Sequence, residues 1–261
     1  MLLEGENMGR ILLFNQVPID VISKKDLIGK IILWAEAKKK KIVVYMNAYG
    51  VVEYSKNQKY ANVVKNADIV YPDGWGPVFA SRFFKDKLTK RVNVGDFVDE
   101  LLADIDSKRL GIYLVGCESA TNEKTLEAIK KRYPKIKVCG GDHGFFNQRE
   151  EQEIVEKIKK TRPRIVLVGM SVPKQEYFIA RNFPSLPPAV YMGVGGVFYY
   201  ISGLKKRAPR LMRKYGFEWL YRLLQEPKRL WRRYTLGNLN FTYLFIKSLV
   251  GKAKQFFFAS S

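Results

Sequence analysis

The stretch IVYPDGWGPVFASRFF, residues 69 to 84, opens as an apolar run and ends in a carboxylate set between Pro72 and Gly74, with Trp75 and a second glycine just after. Four apolar residues closed by a turn are the mark of a short strand buried on both faces. The acid cannot belong to a core, because a buried carboxylate without a partner is too costly. A position just past a strand presents a short side chain at the sheet rim. Asp73 is therefore read as a catalytic base; the competing reading is a helix N-cap for the segment from Gly76 to Phe84.

Five other runs repeat the pattern: IVVYMN from 42, GIYLVG from 111, IKVCGG from 136, RIVLVGM from 164 and AVYMGVGG from 189. Helical stretches lie between them. VGDFVDELLADIDSK places Phe97, Leu101, Leu102 and Ile105 on one face, and EEQEIVEKIKK does the same with Ile154, Val155 and Ile158. Buried strands alternating with amphipathic helices predict an α/β fold, a doubly wound Rossmann-like parallel sheet. In such sheets ligands bind beyond the carboxyl ends of the strands. Asn47, Asp73, Gly116, Asp142 with His143, Met170 to Gln175, and Gly193 to Gly196 all stand there.

After Gly203 the pattern changes to KKRAPRLMRKYGFEWLYRLLQEPKRLWRRY, in which Pro227 separates two helical segments. Residues 1–203 are read as the catalytic domain and 204–261 as a basic, aromatic-rich helical appendage. The appendage holds fourteen Lys or Arg against Glu218 and Glu226, a net +12, out of +21 for the 261-residue chain. Its cations are mixed with Trp219, Tyr221, Trp231, Tyr234, Phe241, Tyr243, Phe245 and Phe256 to Phe258. That mixture favours an anionic lipid interface. Arg222, Arg229 and Arg232 or Arg233 recur at helical spacing, forming a cationic stripe opposite Leu220, Leu223, Leu224, Leu230 and Trp231. A surplus of arginine suits a diphosphate, which the guanidinium grips bidentately.

Other classes fall away. Cys117 and Cys139 with the single histidine, His143, supply neither a zinc set nor a disulfide framework. Residues 1–20 contain Glu4, Glu6 and Asp20 and no apolar core of a signal peptide. The charge-free run from Asn182 to Leu204 carries three prolines and four glycines, so no membrane-spanning helix is expected. GVGGVFYYISG departs from GxGxxG at Phe198, which disfavours a dinucleotide-dependent oxidoreductase, and no GxxxxGK[ST] occurs. Asp104 and Asp106 have the DxD spacing of metal-dependent sugar transferases, but side chains two apart on a helix diverge and cannot chelate one ion. The KKKK run at 38–41 is read as a solvated helix end. A nucleic-acid-binding protein is the alternative carried by charge alone, without a motif to support it.

The ordered set Asn47, PDGWG at 72–76, RVNVGD at 91–96, PKQE at 173–176, GVGGVF at 193–198, RAP at 207–209 and EWLYRLLQEPKRLWRRY at 218–234 resembles the WecG/TagA/CpsF glycosyltransferases, glycosyltransferase family 26. The resemblance implies an inverting, metal-independent hexosyltransferase without a cofactor. Its donor would be a UDP-sugar and its acceptor an undecaprenyl-diphosphate-linked sugar at the cytoplasmic face of the membrane, serving cell-surface polysaccharide or teichoic acid synthesis. It also implies roles: Asp73 as base, Asn47 beside it, Arg91, Gln175 and Glu176 in the cleft, Gly195 and Gly196 at the donor. Arg207, Arg222, Arg229 and Arg232 would complete the site from the appendage. Tyr45 stands where many members carry threonine and Tyr199 where an aspartate is usual. Homo-oligomerisation is left open, and nucleic acid is not expected as a partner.

Overall fold

The computed structural model describes residues 9–84 and 87–259. Glu4 and Glu6 and the side chains of Phe256, Phe257 and Phe258 lie outside the described residues. The chain begins with strands β1 (Arg10–Leu13) and β2 (Val17–Asp20), helix α1 (Lys24–Glu36), β3 (Lys41–Met46), α2 (Ala48–Lys56), α3 (Gln58–Lys65), β4 (Ile69–Pro72) and α4 (Trp75–Ser81). It continues through α5 (Val94–Ser107), β5 (Gly111–Gly116), α6 (Ser119–Arg132), β6 (Lys137–Asp142), α7 (Gln148–Thr161), β7 (Ile165–Gly169), α8 (Lys174–Asn182) and β8 (Val190–Gly193). A 3₁₀ turn at Gly195–Val197 leads into α9 (Phe198–Ile201), and α10 (Arg210–Lys214), α11 (Glu218–Gln225) and α12 (Pro227–Ala259) follow.

All six strand runs read from the sequence pair in one parallel sheet, in the order β4-β3-β8-β7-β5-β6. The fold is α/β and Rossmann-like, as expected. Strands β4, β5, β7 and β8 are buried along their whole length, which is why they read as continuous apolar runs and not as alternating ones. The chain moves from β3 outward to β4, whereas β8 reaches β3 from the opposite side by way of β7. The carboxyl ends of β3, β4 and β8 thus meet where the winding reverses, the place at which an open α/β sheet forms its crevice.

Two features were not read from the sequence. The first is the antiparallel hairpin of β1 and β2, paired from Arg10↔Asp20 to Leu13↔Val17. It covers the β4 edge: buried Asp20 accepts from the Val70 N–H at 2.7 Å and from Arg10 at 2.7 and 2.9 Å. An exposed edge strand is a template for aggregation, and the hairpin removes it. The second is the length of α12, which reaches back over the hairpin and α4. Phe14 meets Phe241 at 5.7 Å and Phe245 at 6.2 Å between ring centroids, and Phe83 meets Phe245 at 5.2 Å. The C-terminal helices are therefore packed onto the sheet domain by aromatic contacts.

Two smaller readings are refined. Lys41 belongs to β3 and pairs with Asp68 at 2.7 Å, so only the first part of KKKK is a helix end. Asp106 accepts from the backbone of Lys135 and Ile136, pinning the approach to β6, while Asp104 is exposed; the pair holds no shared ligand position.

Candidate active site

Two cavities open at the carboxyl ends of β3, β4 and β8. The larger, about 660 Å³, lies between α4, the α10–α11 segment and α12. The smaller, about 70 Å³, lies over the Val194–Val197 turn. Asn47, Asp73, Asn93, Arg222, Arg233 and Tyr234 line both. The carboxylate that opened the sequence reading stands on the partition between them.

Asp73 follows β4 directly and its N–H donates to the Met46 carbonyl at 2.9 Å, which locks the end of β4 to the end of β3. Gly74, at φ 85°, is the residue before α4, a backbone state that costs a side-chain-bearing residue about 1 kcal/mol. The glycine makes the turn, so Asp73 is not a helix cap and its side chain is left for the cleft. Asn93 Nδ2 donates to Asp73 Oδ1 at 2.6 Å. The Asn93 amide cannot turn over, because its Oδ1 accepts from the Gly95 N–H at 3.0 Å and from Arg207 at 3.2 Å. Burial and the nearby Glu218 raise the Asp73 carboxyl to about 6, against the pull of Arg222, Arg91 and the Asn93 hydrogen bond. A carboxylate so placed is ionised at neutral pH yet basic enough to take a proton.

Around it the charges are layered. Glu218, at the start of α11, is held by Arg91 at 3.1 Å, Arg207 at 3.2 Å and Arg222 at 3.7 Å. Asp96 is held by Arg91, by Arg207 at 2.7 Å and by Arg213 at 2.8 Å. These ion pairs join the C-terminal helices to the loop that orients Asp73. Arg222 lies over the Tyr200 ring at 5.2 Å and Arg233 over Tyr49 at 4.7 Å. The Nε atoms of both arginines are buried with no acceptor among the described residues. A buried unsatisfied guanidinium donor is a standing cost unless an anion meets it.

The expected residues divide into three groups. Asp73, Asn47, Arg91, Tyr45, Gly195, Gly196, Arg222 and Arg229 line one or both cavities. Gln175, Glu176 and Arg207 stand behind the wall. Gln175 accepts from the Gly195 N–H at 2.9 Å and donates to Glu176 at 2.8 Å, and all of this is buried, so the pair shapes the glycine turn from beneath. Burial raises the Glu176 carboxyl to about 7. Arg232 falls outside: it is exposed, stacks on Trp231 at 5.4 Å and lines neither cavity, and Arg233 takes the inward position. Asn47 also fulfils its plain reading, since its Oδ1 caps α2 by accepting from Gly50 N–H at 2.9 Å. Among those the sequence reading missed, Asn93 enters only within RVNVGD; its Oδ1 also caps α5. Glu218 was counted only as a minority charge.

His143 accepts from the Phe145 N–H at 3.2 Å, a loop-packing role. Tyr199 donates to Glu118 at 2.8 Å on the rim of the smaller cavity. Among the described residues no group of three His, Cys, Asp or Glu is placed to hold a metal ion.

Residues 12–255 match the family model described as the Glycosyl transferase WecG/TagA/CpsF family. The chain is 34% identical over 181 residues, covering 69% of each chain, to an N-acetylglucosaminyldiphosphoundecaprenol N-acetyl-beta-D-mannosaminyltransferase of Bacillus spizizenii. It is 32% identical over 205 residues, 78% of this chain and 80% of the other, to a protein of the same name from Staphylococcus aureus strain MW2. With a match running through almost all of the sheet domain and the C-terminal helices together, the chain belongs to the WecG/TagA/CpsF family of glycosyl transferases.

Proposed function

We propose that the protein transfers an N-acetylmannosamine-like sugar from a UDP donor to a polyprenyl-diphosphate-linked N-acetylglucosamine, with inversion and without a metal ion, at the cytoplasmic face of the membrane. The observation that carries this reading is the position of Asp73 in the wall shared by two cavities. One cavity can present a hydroxyl and the other an anomeric carbon to the same carboxylate. Asp73 takes the acceptor hydroxyl proton as the oxygen bonds to the anomeric carbon from the face opposite UDP, and the bond to the diphosphate breaks with its electron pair leaving on UDP. Asn93 holds the carboxylate in register during that step. The departing charge is met by Arg222, Arg229 and Arg233, which line the smaller cavity, two of them carrying buried unpartnered donors. The Gly195 turn gives a diphosphate close backbone approach; φ is +57° there, and a Cβ would stand 2.8 Å from the Tyr45 hydroxyl.

Residues 204–261 serve this reading as a unit that closes the site and rests on the bilayer. Along α12, Leu236, Leu239, Tyr243, Ile246 and Val250 form a stripe with steps of three and four, each 51% exposed or more. The sequence of α12 contains no acidic residue. A second copy of the helix would bring like charges together, whereas an anionic lipid surface accepts both the stripe and the cations. No described helix is long and apolar enough to cross a membrane. The test is transfer by the purified protein across a panel of UDP-sugars and short-chain lipid-diphosphate acceptors. UDP-N-acetylmannosamine is expected to give the highest kcat/KM, in buffer containing a chelator; activity restored only by a divalent ion would overturn the metal-free reading.

A further inference from the structure

The larger cavity changes character along its length. Its floor is Asp73, Arg91, Arg222 and Arg233, and its outer half is aromatic: Trp75 and Phe79 from α4, Phe217 just before α11, Trp219 on α11, and Phe241 from α12. Phe79 and Phe217 are 54% and 51% exposed, so this half opens outward, while Phe241 packs against the core at its inner side. The rings are held, not loose. Trp75 Nε1 donates to the Arg213 carbonyl at 3.2 Å, and Phe79 packs edge-on to Phe83 at 5.3 Å. Gly216, where φ is +86°, lets the chain pass close over Trp75, since a Cβ there would stand 3.1 Å from its ring.

Aromatic faces can also stack a nucleobase or a sugar ring, but these rings lie beside exposed α4 and α12 hydrocarbon, where a tail joined to a bound diphosphate would run. A molecule with an anionic head and a branched hydrocarbon tail fits both halves at once. We infer that the aromatic half of this cavity, Trp75, Phe79, Phe217, Trp219 and Phe241, is a seat for the first isoprene units of a polyprenyl-diphosphate acceptor. This rests on the transferase reading above for the identity of the ligand. The aromatic seat lets the enzyme extract the acceptor by its tail as well as its head, and fixes the head over Asp73 before the donor reacts. Aromatic faces suit the unsaturated, methyl-branched chain because they supply broad contact at low cost in side-chain freedom.

The test uses the full-length protein in detergent-free solution, with acceptors that share one diphosphate-sugar head and carry tails of five to twenty carbons, below their aggregation limits. KM should fall by on the order of tenfold over the first one or two isoprene units and then level off. In Phe79→Ser and Phe217→Ser the ratio of KM between the shortest and longest tails should collapse toward one. In parallel, tryptophan emission is followed on addition of geranylgeranyl diphosphate or inorganic diphosphate. Quenching by the prenyl compound at concentrations at least tenfold lower supports the seat. A KM independent of tail length, or variants that keep the full tail dependence, would overturn it. The two readings fail separately: tail-dependent quenching without transfer to any acceptor would sink the transferase assignment and keep the seat, and transfer indifferent to the tail would do the reverse.

Discussion

The sheet domain and the C-terminal helices solve the burial problem in opposite ways. In the sheet domain the apolar residues are inside: Val43, Val44, Val70, Leu114, Leu167 and Met192 are wholly buried in the strands. In the C-terminal helices several guanidinium groups face inward while much of the hydrocarbon faces outward. Arg222 and Arg233 line the cavities, while Leu224 is 72%, Leu239 67% and Tyr243 63% exposed. A segment arranged this way cannot draw its stability from its own core. It is held by ion pairs to Asp96, by the Phe241 and Phe245 contacts, and in the proposed setting by a ligand on one side and lipid on the other. The difference teaches that one region builds the site's geometry and the other supplies its charge.

The sharpest way to break that division is at Asp73, which stands at the end of β4 and is oriented by Asn93. Asp73→Asn should lower turnover by about three orders of magnitude while UDP binding stays within a few-fold. The same change should stabilise the fold. A folded-state carboxyl raised to about 6 loses stability as pH rises from its ordinary value near 3.8 through 6, because the unfolded chain ionises first. Removing that ionisation should add on the order of 1–3 kcal/mol at pH 7, visible as a higher Tm. A variant that is inactive and also less stable would mean that Asp73 is structural.

The next largest effect should come from the other region. Deleting residues 204–261 removes Arg222, Arg229, Arg233 and Arg207 together. Transfer should fall at least a hundredfold, and the KM for the UDP-sugar should rise. If the truncated protein transfers at the full rate, the cationic half of the site is dispensable and the two regions are independent. Arg233→Ala against Arg232→Ala refines this, since the geometry expects the first to cost tenfold or more and the second little.

Much of this was legible in sequence. Six strands were readable because strands buried on both faces leave continuous apolar runs, and Pro72 with Gly74 marked Asp73 as a turn residue beyond one of them. The β1–β2 hairpin was not, since RILLFNQVPID gives each strand only four residues and turns at Phe14 and Asn15, which adopt positive φ without a glycine. Arg232 and Arg233 could not be separated either. Both stand at helical steps from Arg229, and only the phase at which α12 restarts after Glu226 decides which faces inward. Asn93 was hidden by doing two things with one side chain: one end of the amide caps α5, the other holds the Asp73 carboxylate.

That double duty makes the smallest predicted effect the most informative about how the two regions meet. Asn93→Asp keeps an acceptor for the Gly95 N–H, so the α5 cap survives, but it withdraws the donor from Asp73 and sets a second negative charge beside it. Both changes disfavour the ionised base. The acid limb of the kcat/KM profile, expected near 6 in the natural protein, should move upward by about one pH unit, and by the same linkage the fold should lose on the order of 1 kcal/mol at pH 7, a loss that fades as pH falls below 6. Asn93→Ala removes cap and donor together, so it should show a smaller upward shift and a loss of about 1 kcal/mol in stability. If the two variants differ in stability alone and share one unshifted pH profile, Asn93 is merely a cap. Arg207 would then end in an ion-pair network without influence on the base. A shift in both, larger for aspartate, ties the orientation of the carboxylate to a residue that the C-terminal region itself holds in place.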